Sequence, residues 1–497
     1  MPSPVSRDGG RWKALTFLCL AQLMVVLDVT IVNIALPSAQ HDLGFSDADR
    51  QWVVTAYALA FGGLLLSGGR AADLWGRKRV FIVGVTGFAA ASALGGAAVD
   101  TAMLMGARAL QGVFGALLAP AALSLLAVTF TEARERAKAF GIYGAIAGGG
   151  AALGLVLGGV LTEYLTWRWT LLVNIVFALV AVLGALAYVH EPSAGRPGGR
   201  RLDLPGVLLA SGGLACLVYG FTRAESTGWR APGTLGLMGA GLLMLTAFVA
   251  VERRASAPLL PLRVILDRNR GGALLCLALA ITGMFGVLLF LTFYLQGVLG
   301  FSPLKCGLAF LPMTAGMMTG ATQIGTRLAP RLSARTLMAP GYLVAAGGLA
   351  LLARITPDSS YAAVVLPGMA VMGLGMGTAL TPAMSLATYG VAPQDSGVAS
   401  AMVNTSQQIG GAIGTALLNT LATSATGAYL HHHGASGPEP SGRLGLEAVS
   451  HGSATALWWA SGFLLLAAAL AALLVNHHPG TPAPSADGAA TRPAAVS

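Results

Sequence analysis

The stretch VVLDVTIVNIALP, residues 25–37, contains one ionisable side chain, Asp28, within a long apolar run. A charged side chain deep in a bilayer costs about 2.5–3.5 kcal/mol on insertion scales, and such residues are usually functional. The surrounding run extends over residues 14–36, which is long enough for a helix to cross a bilayer. The stretch therefore predicts a transmembrane helix that carries a functional carboxylate.

The composition extends this prediction to the whole chain. Of the 497 residues, 55% are hydrophobic and only 10% are charged, whereas soluble proteins carry about 25% charged residues. We therefore predict an all-α polytopic membrane protein. Fourteen apolar segments can span a bilayer: 14–36, 51–69, 80–98, 102–129, 140–162, 168–189, 204–222, 233–251, 272–296, 305–326, 335–355, 361–388, 398–421 and 456–475.

Basic residues predict the orientation of these spans. Of the 30 Lys and Arg residues, 22 fall on the side of the N-terminus, seven on the other side, and Arg108 within a span. Because cytoplasmic loops are enriched in Lys and Arg, we expect both termini in the cytoplasm. The same asymmetry explains most of the net charge of +10 without a nucleic-acid partner.

Several chemistries find no support in the sequence. The four cysteines have no paired spacing, so we predict neither a disulfide framework nor a metal site. No G-x-x-x-x-G-K-[ST] phosphate loop occurs, which argues against a self-contained ATP-driven pump. No nucleophile and base share a segment, so we predict no catalytic site and no enzyme. A proton gradient, with no cofactor, is the expected energy source.

Internal repeats divide the chain. GFS occurs at 44–46 and at 300–302, offset by 256, and GALLAPA (115–121) is echoed by GTALTPA (377–383), offset by 262. Duplicated halves are common in secondary transporters, whose substrate site lies between them. The predicted units are a cytoplasmic segment 1–13, a six-helix half 14–190, a two-helix insert 204–251, a second half 272–476 with a long outer loop 422–455, and a disordered cytoplasmic tail 477–497.

Five motifs identify a family resemblance over nearly the whole chain. They are LDVTIVNIALP (27–37), GRAADLWGRKR (69–79), RALQGVFGA (108–116), GLVLGG (154–159) and WRWTLLVNI (167–175). Together they resemble the major facilitator superfamily, in its fourteen-helix drug–proton antiporter branch (the EmrB/QacA type). The resemblance implies the major facilitator fold with 14 transmembrane helices, arranged as two pseudo-symmetric six-helix halves and a two-helix insert.

Asp28 and Arg108 are the leading candidates for proton coupling. At 1.5 Å per residue, both lie about 9 Å below the outer face of a membrane core about 30 Å thick. Opposite charges at equal depth in one bundle are natural partners. Opening of the pair would let Asp28 take up a proton, although a static ion pair that orients two helices is the alternative. Glu163 is a second candidate carboxylate, or a solvated helix end.

The loop after the second span is a candidate gate, built from Gly69, Asp73, Gly76, Arg77 and Lys78. The resemblance implies that this loop clamps the outward-facing form through a charge relay and the negative end of a neighbouring helix dipole. The alternative is that its basic residues only set topology. Asp73 does not contribute to topology, which favours the gate.

Two further sets of residues are expected to shape the transport path. Small residues allow close helix packing in membranes, which predicts a packing face on span five from Gly154, Gly158 and Gly159. Polar and aromatic residues in other spans are candidates for a substrate cavity, with lipid-facing or packing roles as the alternative for each: Asn33, Asn174, Phe293, Tyr294, Gln296, Asn404 and Gln407.

The predicted function is proton-coupled export of a small lipophilic drug or antibiotic across the bacterial cytoplasmic (inner) membrane by alternating access. Because Asp28 could be the counter-ion of a cationic substrate, such a substrate is one option. Two alternatives remain open at this point: a narrow-substrate metabolite transporter of the same fold, and a membrane sensor or scaffold that transports nothing.

Overall fold

The computed structural model describes residues 5–45, 47–191, 204–254, 260, 262–329, 331–392, 395–433 and 442–476. Helices make up nearly all of this part of the chain, and it contains no strand. The predicted tail 477–497 lies outside the described residues, as does the side chain of Asn33.

Six long helices form the first half: α1 Val5–Leu43, α2 Asp47–Trp75, α3 Arg77–Gly96, α4 Thr101–Thr129, α5 Ala133–Tyr164 and α6 Trp169–Tyr188. Their ends follow from local chemistry. Gly76, with φ of 97°, separates α2 from α3, because glycine adopts positive φ without a steric penalty. The Asp100 carboxylate accepts a hydrogen bond from the Met103 amide at 2.7 Å and so caps the start of α4.

The insert consists of α7 Leu204–Thr227 and α8 Pro232–Glu252. The two helices pack against each other, and α7 also packs against α2. A hydrogen bond of 3.2 Å joins the Ser67 and Ser211 hydroxyls across the α2–α7 contact. The insert therefore lies at an edge of the bundle, where α7 also packs against α16 of the second half.

The second half has more interruptions. Its α-helices are α9 Leu262–Leu266, α10 Arg268–Gly286, α11 Pro303–Ala309, α12 Leu311–Thr319, α13 Thr326–Leu328, α14 Ala334–Leu352, α15 Leu366–Ala387, α16 Ser396–His432 and α17 Arg443–Leu474. Four π-helical segments continue or precede them, at Val287–Leu291, Tyr294–Val298, Gly320–Gly325 and Tyr361–Val365. Within the described residues, π-helix occurs only in this half.

Ten helical segments of the described chain are long and apolar enough to cross a membrane. The helical, multi-span architecture is thus confirmed, whereas the number fourteen stays a prediction. Helices α5 and α16 are not among the ten, although each has more than 30 residues.

Helix extends into the segment 422–455, for which the sequence analysis expected a long outer loop. Helix α16 runs to His432 and α17 begins at Arg443, so helix covers most of that range. One contact joins the two extensions, because the Tyr429 hydroxyl donates to Glu447 at 3.3 Å. Within α17, Arg443 binds Glu447 one turn along the helix at 3.0 Å. The polar residues that indicated a loop are equally compatible with two solvent-exposed helix ends that pack against each other.

Glycines set the closest helix contacts. A Cβ added to Gly348 in α14 would lie 2.3 Å from the amide nitrogen of Met372 in α15, and a Cβ added to Gly375 would lie 2.3 Å from that of Ala345. No side chain fits at these distances, so the two helices approach backbone to backbone. This is the close packing that small residues permit in membranes.

We expect Gly348→Ala to lower the free energy of unfolding by about 1–3 kcal/mol, because the added methyl overpacks the α14–α15 contact. Gly347→Ala is the matched control, since a Cβ at Gly347 meets nothing within 4 Å. The measurement is thermal unfolding in detergent. Equal midpoints for the two variants would contradict the contact.

Candidate functional site

A buried polar network surrounds Asp28 in the first half. The Asp28 side chain is fully buried, and Arg108 Nη1 donates to its Oδ2 at 2.5 Å. Its other oxygen, Oδ1, accepts from Gln111 Nε2 and Asn174 Nδ2, both at 2.8 Å. Gln111 Nε2 also lies 2.7 Å from the Ser92 hydroxyl. The carboxylate therefore has three donors, as a buried charge requires.

The network draws one or two side chains from each of four helices. Asp28 belongs to α1, Ser92 to α3, Arg108 and Gln111 to α4, and Asn174 to α6. Arg108 and Gln111 are three residues apart and share one face of α4, and Arg108 Nη1 donates to Gln111 Oε1 at 2.8 Å. The depth argument for an Asp28–Arg108 contact agrees with this geometry.

An aromatic pair covers the guanidinium. The Arg108 Cζ lies 4.5 Å from the centroid of the Tyr57 ring, in the range of a cation–π interaction. Tyr57 stacks in turn on Phe61, with ring centroids 5.5 Å apart. The Tyr57 hydroxyl is buried and has no hydrogen-bond partner among the described atoms. The pair thus places α2 against the network without adding a donor to it.

Glu163, the second candidate carboxylate, does not join this network. It lies near the end of α5, with an exposed side chain. The structure therefore gives it the surroundings of a solvated helix end.

Helix α5 packs on α1 through two of the three predicted glycines. A Cβ on Gly154 would overlap the Thr30 hydroxyl, and one on Gly158 would lie 3.1 Å from Ile31 Cγ1. A Cβ on Gly159 would meet nothing within 4 Å, so the predicted packing role of Gly159 is wrong. Adjacent residues are about 100° apart around a helix with 3.6 residues per turn, so Gly158 and Gly159 cannot both face α1.

The predicted gate contacts the second half. Asp73 Oδ1 accepts from the Gly397 amide at 2.9 Å, and Oδ2 accepts from the Val398 amide at 3.1 Å. Gly69 lies at the same contact, where a Cβ would be 2.5 Å from the Gly397 carbonyl oxygen. These amides belong to the first turn of α16, which is the positive end of its dipole. The Asp73 contact is therefore with a positive helix end, and the expected contact of the loop with a negative helix end stays a prediction.

Glu191 completes the loop and was missed by the sequence analysis. Its carboxylate accepts from the Arg77 and Lys78 amides at 3.0 and 3.1 Å and so caps the start of α3. Arg77 Nη2 lies 3.3 Å from Asp73, and Nη1 lies 3.6 Å from Glu191. Arg77 thus links the acid that contacts the second half to the acid that caps α3.

The predicted cavity residues are not gathered at one place. Asn174 joins the Asp28 network, whereas Tyr294 is buried and donates to the Thr356 carbonyl at 2.7 Å. Asn404 donates to the Ser400 carbonyl of its own helix at 3.0 Å. The remaining described members are Phe293 and Gln296, which are exposed, and Gln407, which is half-buried. The contacts of Tyr294 and Asn404 favour the packing alternative over a role in a cavity.

A groove of about 530 Å³ lies elsewhere, between the N-terminal parts of α1 and α5. Its lining is mostly apolar, from Trp12, Leu15, Thr16, Cys19, Leu20, Leu23, Lys138, Ile142 and Ile146. It includes none of the predicted cavity residues.

Comparisons with known proteins agree with this architecture. The family model described as Major Facilitator Superfamily matches residues 18–415. Among solved structures, the human organic anion transporter MFSD10 gives a TM-score of 0.65 at 16% identity, covering 93% of this chain and 99% of that one. The proton:xylose symporter XylE gives a TM-score of 0.61 at 14% identity, covering 95% and 97%. At these identities, the structural likeness concerns the fold alone.

Curated relatives are more similar in sequence. The chain is 53% identical to the puromycin resistance protein pur8 of Streptomyces alboniger, over 94% of this chain and 92% of the relative. It is 41% identical to the cephamycin export protein CmcT of Amycolatopsis lactamdurans, over 83% and 85%. It is 34% identical to the tetracenomycin C resistance and export protein of Streptomyces glaucescens, over 86% and 78%.

Arg108→Ala tests the network itself. We expect it to lower the free energy of unfolding by about 3–5 kcal/mol, because Asp28 is left as a buried charge without its cation. The double variant Asp28→Ala with Arg108→Ala removes both charges and is expected to recover part of that loss. Thermal unfolding in detergent measures these two variants and the single variant Asp28→Ala. A double variant that loses the sum of the two single effects would contradict the pairing.

Proposed function

The chain belongs to the major facilitator superfamily, and we propose that it exports an antibiotic or related drug across the bacterial cytoplasmic membrane in exchange for protons. Asp28 carries this proposal, because it is a fully buried carboxylate, paired with Arg108, within a bundle of apolar helices. The three curated relatives described above are named for antibiotic resistance or export, which favours a drug over the narrow metabolite of the alternative.

Proton uptake at Asp28 supplies the coupling step in this proposal. A proton on the carboxylate cancels its charge and leaves Arg108 as a buried cation without a counter-charge, a costly state. The packing of α1 against α4 then favours a different arrangement. A ligand shifts such an equilibrium only by its differential affinity for the two states. The proton, bound more tightly in one arrangement, acts as that ligand.

The substrate class follows from the relatives and from the site. Because the puromycin resistance protein is 53% identical, we take puromycin as the first compound to test. Asp28 is held by Arg108, Gln111 and Asn174, so it becomes available to a cationic drug only when those donors release it. Competition between a cationic drug and a proton for Asp28 is then one route to exchange.

The orientation is part of the same proposal. We place fourteen spans in the membrane with both termini in the cytoplasm, on the basis of the 22 basic residues on that side against seven on the other. The Asp73 contact with the start of α16 then closes the cytoplasmic end of the path. The gate residues act on that closure rather than on the proton site.

Asp28→Asn is expected to abolish drug-triggered proton release from inverted membrane vesicles that hold an imposed proton gradient. An amide keeps the shape of the carboxylate but does not take up a proton near neutral pH. The wild type should dissipate the gradient when puromycin is added, and cells expressing it should tolerate more puromycin than cells expressing the variant.

Glu163→Gln is the matched control, because it removes the same charge from an exposed carboxylate. We expect it to behave as the wild type. Equal proton release from wild type and Asp28→Asn, together with loss in Glu163→Gln, would transfer the coupling role to Glu163. No response of the wild type to puromycin or to any drug in a panel would favour the narrow-substrate alternative.

A further inference from the structure

Arg136 is a buried cation that joins the two halves and that the proton site does not use. It lies in the first turn of α5, with an accessibility of 6%. Its Nη2 donates to the Ser385 carbonyl at 3.2 Å and to the Thr388 hydroxyl at 2.6 Å, both at the end of α15 in the second half. Its Nε donates to the Ser385 hydroxyl at 3.2 Å.

The same guanidinium holds a helix of its own half. Arg136 Nη1 donates to the Ala127 carbonyl near the end of α4 at 3.0 Å. Ala127 and Ser385 are each among the last four residues of their helices, where carbonyl groups lack partners within the helix and the dipole is negative. One planar cation thus satisfies the carboxyl ends of two helices, one from each half.

The surroundings keep this cation in place. Its Cζ lies 4.7 Å from the Phe140 ring centroid and 5.9 Å from that of Tyr389, so aromatic faces cover it. Burial lowers the pKa of Arg136 to about 10, which leaves it charged at neutral pH.

Arg136 and the Asp73 contact belong to one continuous row. Next to Gly397, the Ser396 hydroxyl lies 2.9 Å from the Ser124 hydroxyl of α4. Ser124 is one turn before Ala127, the carbonyl that Arg136 binds. The row therefore runs from Asp73 through α16 and α4 to Arg136 and α15.

The repeat shows that the two ends of this row are built differently. The offset of 256 maps Asp73 onto Ala329, so the second half has no acid at the equivalent loop position. The offset of 262 maps Arg136 onto Val398, whose amide Asp73 binds. Both residues belong to the first half: Asp73 binds a helix N-terminus of the second half, whereas Arg136 binds one helix C-terminus in each half.

We propose that Arg136 is a second latch of the contact between the halves: a positioning residue that holds the ends of α4 and α15 together while this side is closed, and releases them when the halves part. Its place in a transport cycle rests on the proposed function. The latch itself is a property of the resting contact and is tested without any drug.

Ser124→Cys provides the sensor, because Ser124 is fully buried in the row and a thiol nearly matches the hydroxyl in size. In inverted vesicles without drug or gradient, a membrane-impermeant maleimide labels the introduced thiol only when the halves part. Labelling of the same chain without Ser124→Cys is subtracted. We expect Arg136→Gln to raise the labelling rate by about ten-fold, the scale of lost hydrogen bonds to a charged group.

The controls separate the latch from general loosening. Arg134→Gln removes an exposed charge two residues away on the same helix and should leave the rate within about two-fold, as surface substitutions usually do. Arg136→Lys should fall between wild type and Arg136→Gln, because an ammonium does not reproduce the planar fork. Thr388→Val, which removes one acceptor and leaves Arg136 intact, should give a smaller rise than Arg136→Gln.

Wild-type labelling in both Arg136→Gln and Thr388→Val would overturn the latch. If Arg136→Gln is not recovered as a monodisperse protein, Thr388→Val and Arg136→Lys decide, and unchanged labelling in both would overturn it equally. A wild type that responds to no drug would overturn the proposed export while the labelling result still decides the latch. Intact puromycin-triggered proton release with unchanged labelling would remove the latch alone.

Discussion

The Asp28–Arg108 pair constrains the whole first half. A carboxylate in an apolar bundle is tolerated only with a counter-charge and with donors for its remaining lone pairs, and here those groups come from α4 and α6. Four helices must therefore bring these side chains to one depth, and each helix must be rotated about its axis so that its side chain faces the others. Gly154 and Gly158 then allow α5 to lie against α1 immediately beyond the carboxylate. Packing elsewhere in this half has little freedom once the network is satisfied.

Two polar contacts between the halves are built on a different principle. Asp73 and Arg136 bind helix ends, whose amides and carbonyls water can satisfy equally well once they are exposed. Exchange of protein partners for water makes the net contribution of a typical hydrogen bond only about 0.5–1.5 kcal/mol. A contact of this kind closes firmly but separates at modest cost.

The sequence predicted the charged pair because depth in a membrane follows from residue count along a helix. It did not predict that Ser92 and Gln111 would join, because membership depends on the rotation of each helix about its axis. Glu191 was missed since it lies 114 residues from the Arg77 amide that it caps. Asn174 was identified as a polar residue within a span, but the role expected for it was a cavity role. Boundaries such as that of the 422–455 loop depend on contacts between distant segments, which composition does not reveal.

The two halves, which the sequence predicts to be repeats, have different physical roles. The offset of 256 maps Asp28 onto Met284, so the second half has no acid at the equivalent position. That half instead carries every π-helical segment of the described chain, and such segments are frequent at functional sites because they disturb the regular hydrogen-bond ladder. A network that must hold one charge needs regular helices with fixed side-chain directions. A half that holds no such charge is free of that requirement, and its helices tolerate local irregularity.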